Sequence, residues 1–270
     1  MKLFPAHPDR RIEGTIYSPN LKDGPFVLLT RHGHTKTQRA TFGQDEVLSP
    51  RGKKETQAEG AQAERVFQEV GIDFRDVSEI FFVHSERVRT GETTQLLLSS
   101  FWDNLHFNGH SKHPEFRIIA DARLNPPSSG DFQGLTKQKV YSEYAKKRKK
   151  DDGFQQIREE LWNRLSKENK GKGSTYEIGK MIFRLSWMRS FEPNPPTWET
   201  RRMGETMEEF SKRNLECILE YAQRGLTIHA MHSHGVLGVH ALTGAITEEQ
   251  WKADPPVPKS TLLPVRLNVS

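Results

Sequence analysis

The chain has 270 residues, 34% of them hydrophobic and 28% charged, with a formal net charge of +5. That length suits one large domain or a core carrying an insertion. No apolar run of about 18 residues is present to cross a bilayer as a helix, and the opening MKLFPAHPDRRIEG lacks the apolar segment of a secretory signal. The single cysteine, Cys217, cannot close an intrachain disulfide and suits a reducing compartment, so a cytoplasmic location is expected. Its apolar neighbours in mid-helix mark it as packing. The basic excess favours anionic partners in general, without choosing between phosphate esters and nucleic acid.

In chain order, FVLLT at 26–30 predicts a short buried strand. Ser49 to Gly71 carries a helix start signal and a glycine stop, with Ala58, Ala61, Val66 and Val70 as its inner stripe. Ile80–Val83 predicts a second strand, Arg89 to about Phe101 a helix, and Arg117–Ala120 a third strand. From about Gly204 to Tyr221, Met207, Phe210, Leu215, Ile218 and Leu219 recur at helical spacing. Gly225 ends that helix, Leu226–Met231 follows as a fourth strand, and Val236–Leu242 opens another helix. Strands alternating with helices predict a three-layer α/β/α sandwich around a mostly parallel sheet.

The segment from about Lys137 to Arg202 departs from this pattern. It is highly charged, with KKRKKDD at 146–152, KENKGKG at 167–173 and prolines at 193, 195 and 196. Phe154–Leu165 and Ile178–Phe191 are amphipathic pieces within it. We read it as a helical cap inserted into a single domain spanning 1–270, whose core occupies about 26–136 and 203–250. Without interleaved aromatics or a nucleic-acid motif, KKRKK reads as solvated helix surface. Trp187 and Trp198 read as core packing.

Three of these strands end in polar clusters: Arg31-His32-Gly33-His34-Thr35, then Ser85 and Arg89, then His232-Ser233-His234. Parallel strands bring their C-terminal ends to one edge, where open α/β sheets keep their ligands. The clusters therefore converge in space although the chain holds them far apart.

Five short motifs stand in order on this frame: RHGHT at 31–35, LSPRG at 48–52, SERVRTGET at 85–93, GET at 204–206 with Arg213 further along its helix, and HG at 234–235. Together they resemble the signatures R-H-G-x-T, L-T-x-x-G, S-x-x-x-R-A-x-Q-T, G-E-S and H-G of the histidine phosphatase superfamily, in its phosphoglycerate-mutase-like branch. The resemblance implies a phosphatase acting through a phosphohistidine. A phosphomonoester dianion repels nucleophiles, so its oxygens must be neutralised before a neutral imidazole attacks phosphorus. By the resemblance His32 is that nucleophile, its other ring nitrogen pinned by a backbone carbonyl near Gly33. Arg31 and Arg89 clamp the phosphate oxygens, as guanidinium forks do well, and His234 stabilises charge in the transition state. Gly33, Thr35, Gln38, Glu205 and Gly235 are the expected substrate contacts. For His34, substrate contact and simple exposure stay open. His232 is expected to share a strand face with His234 without a catalytic part, and His229 to be packed or at the surface. No metal or cofactor is implied, and the expected partner is a phosphorylated small molecule or phosphoprotein, with neither membrane nor nucleic acid.

One position breaks the pattern. Relatives carry a glutamate in a segment like L-N-E-x-x-x-G-x-x-x-G, and here that segment is LNPPSSGDFQG, with Pro126 at the acid position. The aspartate that another branch places after its second histidine is here Gly235. General acid catalysis typically contributes about 10²–10⁴-fold, so three outcomes stand: a replacement acid, with Asp131 or Glu205 nearest by motif; a substrate with a good leaving group; or a protein that binds phosphate ligands with weak or no turnover. A rival from another chemical class is zinc held by the two H-x-H pairs at 32–34 and 232–234. No acidic partner completes such a site, and Arg31 would repel the cation.

Overall fold

A computed structural model describes residues 26–36, 41–69, 71–73, 77–108, 114–147, 159, 163, 176, 179, 180, 183, 204–243, 257 and 259–267. Among them the elements are β1 (Phe26–Arg31), α1 (Pro50–Glu69), β2 (Glu79–His84), α2 (Val88–Phe107), β3 (Glu115–Ala120), α3 (Lys137–Lys147), α4 (Met207–Ala222), β4 (Leu226–Met231), α5 (Ser233–Leu242) and β5 (Leu263–Arg266). The chain forms two compact units, one of Met1–Lys36, Asp45–Pro126 and Glu209–Ser270, the other of Thr37–Gln44 and Pro127–Glu208.

The first unit is built on a five-stranded sheet of order β3-β2-β4-β1-β5. The first four strands are parallel and β5 runs antiparallel along β1. Alternation along the strands sends Leu28, Ile80, Phe82 and Ile228 to one face, where they pack on Ala63 and Phe67 of α1 and on Leu97, Phe101 and Leu105 of α2. On the opposite face the Phe81 and His229 rings lie 6.1 and 6.4 Å from the Tyr221 ring of α4. Three layers result, as the sequence predicts.

Two features differ from the sequence reading. The inner stripe of α1 is Gly52, Thr56, Glu59, Gly60, Ala63, Glu64 and Phe67, while Ala58 and Ala61 are exposed. Gly60 packs onto the backbone of Leu97 in α2 with no room for a side chain. The helix is thus rotated to put its glycines, not its alanines, at the closest approach. Strand β5 escaped prediction because it is four residues long and carries Pro264, which only an edge strand accommodates readily.

The second unit has its own aromatic core. The Phe42 ring lies 5.8, 5.8 and 5.4 Å from the rings of Phe132, Tyr141 and Phe183. Backbone bonds tie this early segment to the later one: Phe42 N donates to Leu135 O at 2.8 Å and Gly134 N to Phe42 O at 3.0 Å. The unit therefore begins ten residues before Lys137 and takes in 37–44 as well. Trp187, Trp198, most of the KKRKKDD run and the piece Phe154–Leu165, apart from positions 159 and 163, lie outside the described residues.

Candidate active site

The register of the sheet assembles the polar clusters. Arg31 is the Cα partner of Met231, and His84 that of Ala230. Residues 32, 232 and 85 therefore leave the sheet side by side at its C-terminal edge. His32 N donates to Met231 O at 3.1 Å, and the His32 and His232 rings meet edge to face with centroids 5.3 Å apart.

The next residues bind each side chain in place. His32 Nδ1 lies 2.9 Å from Gly33 O. A carbonyl only accepts, so Nδ1 carries the proton and Nε2 keeps its lone pair. Gly33 N donates to Thr93 Oγ1 at 3.2 Å, and that hydroxyl donates to Arg89 O at 2.7 Å. The turn after β1 is thereby fastened to the first turns of α2. Only glycine fits at position 33, because a Cβ there would stand 2.8 Å from Thr56 Oγ1 and 3.0 Å from Gly52 O.

Arg89 lies in the first turn of α2. Its Nη1 is 3.3 Å from Asp45 Oδ1, and its Nη2 is 3.4 Å from His232 Nδ1. Asp45 Oδ2 also accepts from Val88 N at 2.8 Å. One carboxylate thus supplies the acceptor that the Arg87 side chain does not offer the start of α2. A guanidinium only donates, so His232 Nδ1 is the acceptor and Nε2 bears the proton, donated to Ser85 Oγ at 3.1 Å. Ser85 Oγ lies 2.6 Å from Thr90 Oγ1. Arg31 points its Nη1 to Val257 O at 2.9 Å.

The electrostatics favour neutral imidazoles. Burial first, then the charges of Arg89, Arg31 and Lys259, holds His32 well below the ordinary histidine value, against the opposing bond to Gly33. His232 is held well below it by burial, Arg89 and His32. Both rings are unprotonated on their lone-pair nitrogens at neutral pH, the state in which imidazole is a nucleophile.

Comparison with solved structures then gives the fold its place. A Bacillus stearothermophilus protein, YhfR, aligns at 17% identity over 90% of this chain and 91% of its own, with a TM-score of 0.52. A second similar structure, "Mycobacterial hydrolase 1", aligns at 15% identity over 89% of this chain and 88% of its own, with a TM-score of 0.50. The chain shares with them an α/β fold, consistent with the histidine phosphatase fold. A mycobacterial glucosyl-3-phosphoglycerate phosphatase with bound VO3 aligns at 16% identity over 89% and 90% of the two chains, with a TM-score of 0.49. No family model and no curated protein matches the sequence.

The expected site residues are placed as follows. His32, Arg89, Gly33 and the turn holding Arg31 come together. His232, the residue at the N-cap position of α5, touches His32 and Arg89. His234, to which the sequence reading gave the second imidazole, stands in the first turn of that helix. The strand ends at Met231, so His232 and His234 do not share a strand face. Gly235 is a packing position: a Cβ there would meet Met231 at 2.8 Å and Asn214 Oδ1 at 3.0 Å. Thr35 forms a backbone bridge with Leu48. Glu205 accepts from Ser128 N at 2.7 Å, and Asp131 lies in a short 3-10 turn, both in the second unit. Gln38 lies outside the described residues. His229 is buried. Pro126 contributes its carbonyl, 3.5 Å from Arg213 Nη2, which also donates to Asn125 O at 3.0 Å. Arg213 thus props the loop that carries the altered acid position.

The H-x-H pairs are split. His32 faces His232, whereas His34 Nε2 faces Glu55 Oε2 at 3.5 Å. Among the described residues no three His, Cys, Asp or Glu side chains gather as a metal-binding group. The sequence reading missed Asp45 altogether and gave His232 no part. Asp45 belongs to no motif, and His232 is overshadowed by the H-G pair two residues on.

Proposed function

We propose that the chain is a phosphatase that transfers a phosphoryl group to His32 and then to water. The observation that carries this reading is the half-buried, neutral His32, its Nδ1 proton spent on Gly33 O at 2.9 Å. Nε2 attacks phosphorus, the P–N bond forms as the P–O bond to the leaving group breaks, and water then cleaves the P–N bond to release phosphate. Arg89 and Arg31 neutralise the phosphate oxygens, a task for which the guanidinium fork is suited. His232 takes the part of the second imidazole: it steadies Arg89 by accepting from its Nη2 through Nδ1. His234, Thr35, Gln38, Glu205 and Gly235 are left as substrate contacts suggested by resemblance alone.

With Pro126 at the usual acid position, no proton is delivered from that residue to an alkoxide. The reading therefore favours substrates whose leaving group departs unaided, such as acyl phosphates, anhydrides and aryl phosphates, among phosphorylated small molecules or phosphoproteins. The same proline supports a second reading, a phosphate-binding protein with little turnover. Trapping with radiolabelled acetyl phosphate tests both. An acid-labile label on the wild type that His32→Ala abolishes supports phosphoryl transfer, whereas tight vanadate binding without any label leaves only the binding protein.

A further inference from the structure

Strand β5 pairs Leu263 with Leu29 and Arg266 with Phe26, so the residues before β5 run beside the C-terminal end of β1. Ser260 N donates to Arg31 O at 3.1 Å, and Ser260 Oγ lies 3.1 Å from Thr56 Oγ1. Ser260 is also the one non-glycine among the described residues in the left-handed region, at φ 49°. A strained residue persists where its surroundings hold it, and such residues cluster at binding sites.

The residue that this turn presents is Lys259. Its ammonium lies 3.3 Å from His34 Nδ1, is half-buried, and has no carboxylate within ion-pair distance among the described residues. Burial and the neighbouring Arg31 both push its pKa down, while Glu46 and Glu55 push it up. A half-buried ammonium without a carboxylate in ion-pair reach is costly, and a bound anion relieves that cost. His34 is set to aim the lysine. Glu55, held by Arg51 at 2.6 Å, faces His34 Nε2 and favours the proton there, which leaves Nδ1 to accept from Lys259.

We propose that Lys259, positioned by His34, binds a second oxyanion of the substrate, a carboxylate or further phosphate carried on the leaving group beside the phosphoryl site. Lys259 contacts His34 and not His32 in the hydrogen bonds of the described residues. His34 is two residues past His32, a chain reach of about 7 Å at most. Lys259 is then a specificity residue and His34 a positioning residue. The inference rests on the phosphoryl site at His32.

The test uses binding, so that it does not depend on turnover. Calorimetry on the full chain compares 3-phosphonopropionate and ethylene-1,2-bisphosphonate with 3-phosphonopropionamide, which matches the first in size but lacks the second charge. The wild type is expected to prefer at least one of the doubly anionic ligands by about tenfold or more, the worth of one charged hydrogen bond. Lys259→Met should collapse the ratio toward one and Lys259→Arg should keep most of it. His34→Ala should lower the ratio and His34→Asn, whose amide oxygen can take the place of Nδ1, should recover part. A wild-type ratio near one overturns the proposal without any variant, as does a ratio that survives Lys259→Met. A Lys259-dependent ratio with no trapped phosphohistidine sinks phosphoryl transfer and leaves the second anion site standing. A trapped phosphohistidine with a ratio indifferent to Lys259 does the reverse.

Discussion

Arg89 Nη2 lies 3.4 Å from His232 Nδ1, and the His232 ring packs 5.3 Å from that of His32. This contact joins the end of β4 to the first turn of α2 and supports the proposal that His232, which no motif singles out, serves as the second imidazole. His232→Ala should therefore slow phosphohistidine formation by about 10²-fold, the usual scale for one group that stabilises transition-state charge. His234→Ala should cost far less, since His234 sits one residue into α5 beyond the cap. Single-turnover labelling with acetyl phosphate measures both, and the reverse order would return the role to His234.

Asp45 serves two groups at once, Arg89 Nη1 at 3.3 Å and Val88 N at 2.8 Å. Asp45→Asn keeps an acceptor for the helix start but removes the charge that competes with phosphate for Arg89. Inorganic phosphate should then bind a few-fold tighter, within the roughly 0–1 kcal/mol expected of a partly exposed ion pair. Asp45→Ala should instead cost about 1 kcal/mol of stability as α2 loses its cap. Calorimetry and thermal unfolding separate the two effects. Weaker phosphate binding by Asp45→Asn would mean that the carboxylate aims Arg89 and does not compete for it.

Glu59 is buried beneath the site, where Thr30 Oγ1 donates to its Oε1 at 2.7 Å. Burial raises its pKa from 4.5 to about 8, against the smaller opposing effect of Thr30. The folded state therefore holds this proton more tightly than the unfolded chain does. The stabilising contribution is complete below pH 4.5 and is lost as pH rises through about 8. Glu59→Gln cannot ionise, so it should gain on the wild type across that interval by several kcal/mol, at about 1.4 kcal/mol per unit. Urea unfolding at pH 6 and pH 9 checks it: a wild type whose stability does not fall relative to Glu59→Gln contradicts a buried neutral acid.

Much of this protein can be read without coordinates, because much of it is local. The β1 run FVLLTR, the glycine at 33 and the paired Ser85 and Arg89 each carry their reason in spacing and residue type, and alternating strands and helices bring their ends to one sheet edge. The acceptor for His32 Nδ1 is likewise local, one residue along the chain. Tertiary structure decided what depends on where elements stop and on what arrives from elsewhere. The placement of His232 and His234 turned on α5 starting at Ser233, three residues before the Val236 that hydrophobic periodicity marks. The rotation of α1 turned on the close approach of Gly60 to α2, Asp45 reached Arg89 across 44 residues of sequence, and Lys259 came to His34 across 225. Such contacts leave no periodic trace, because the force that makes them acts between segments the chain does not place side by side.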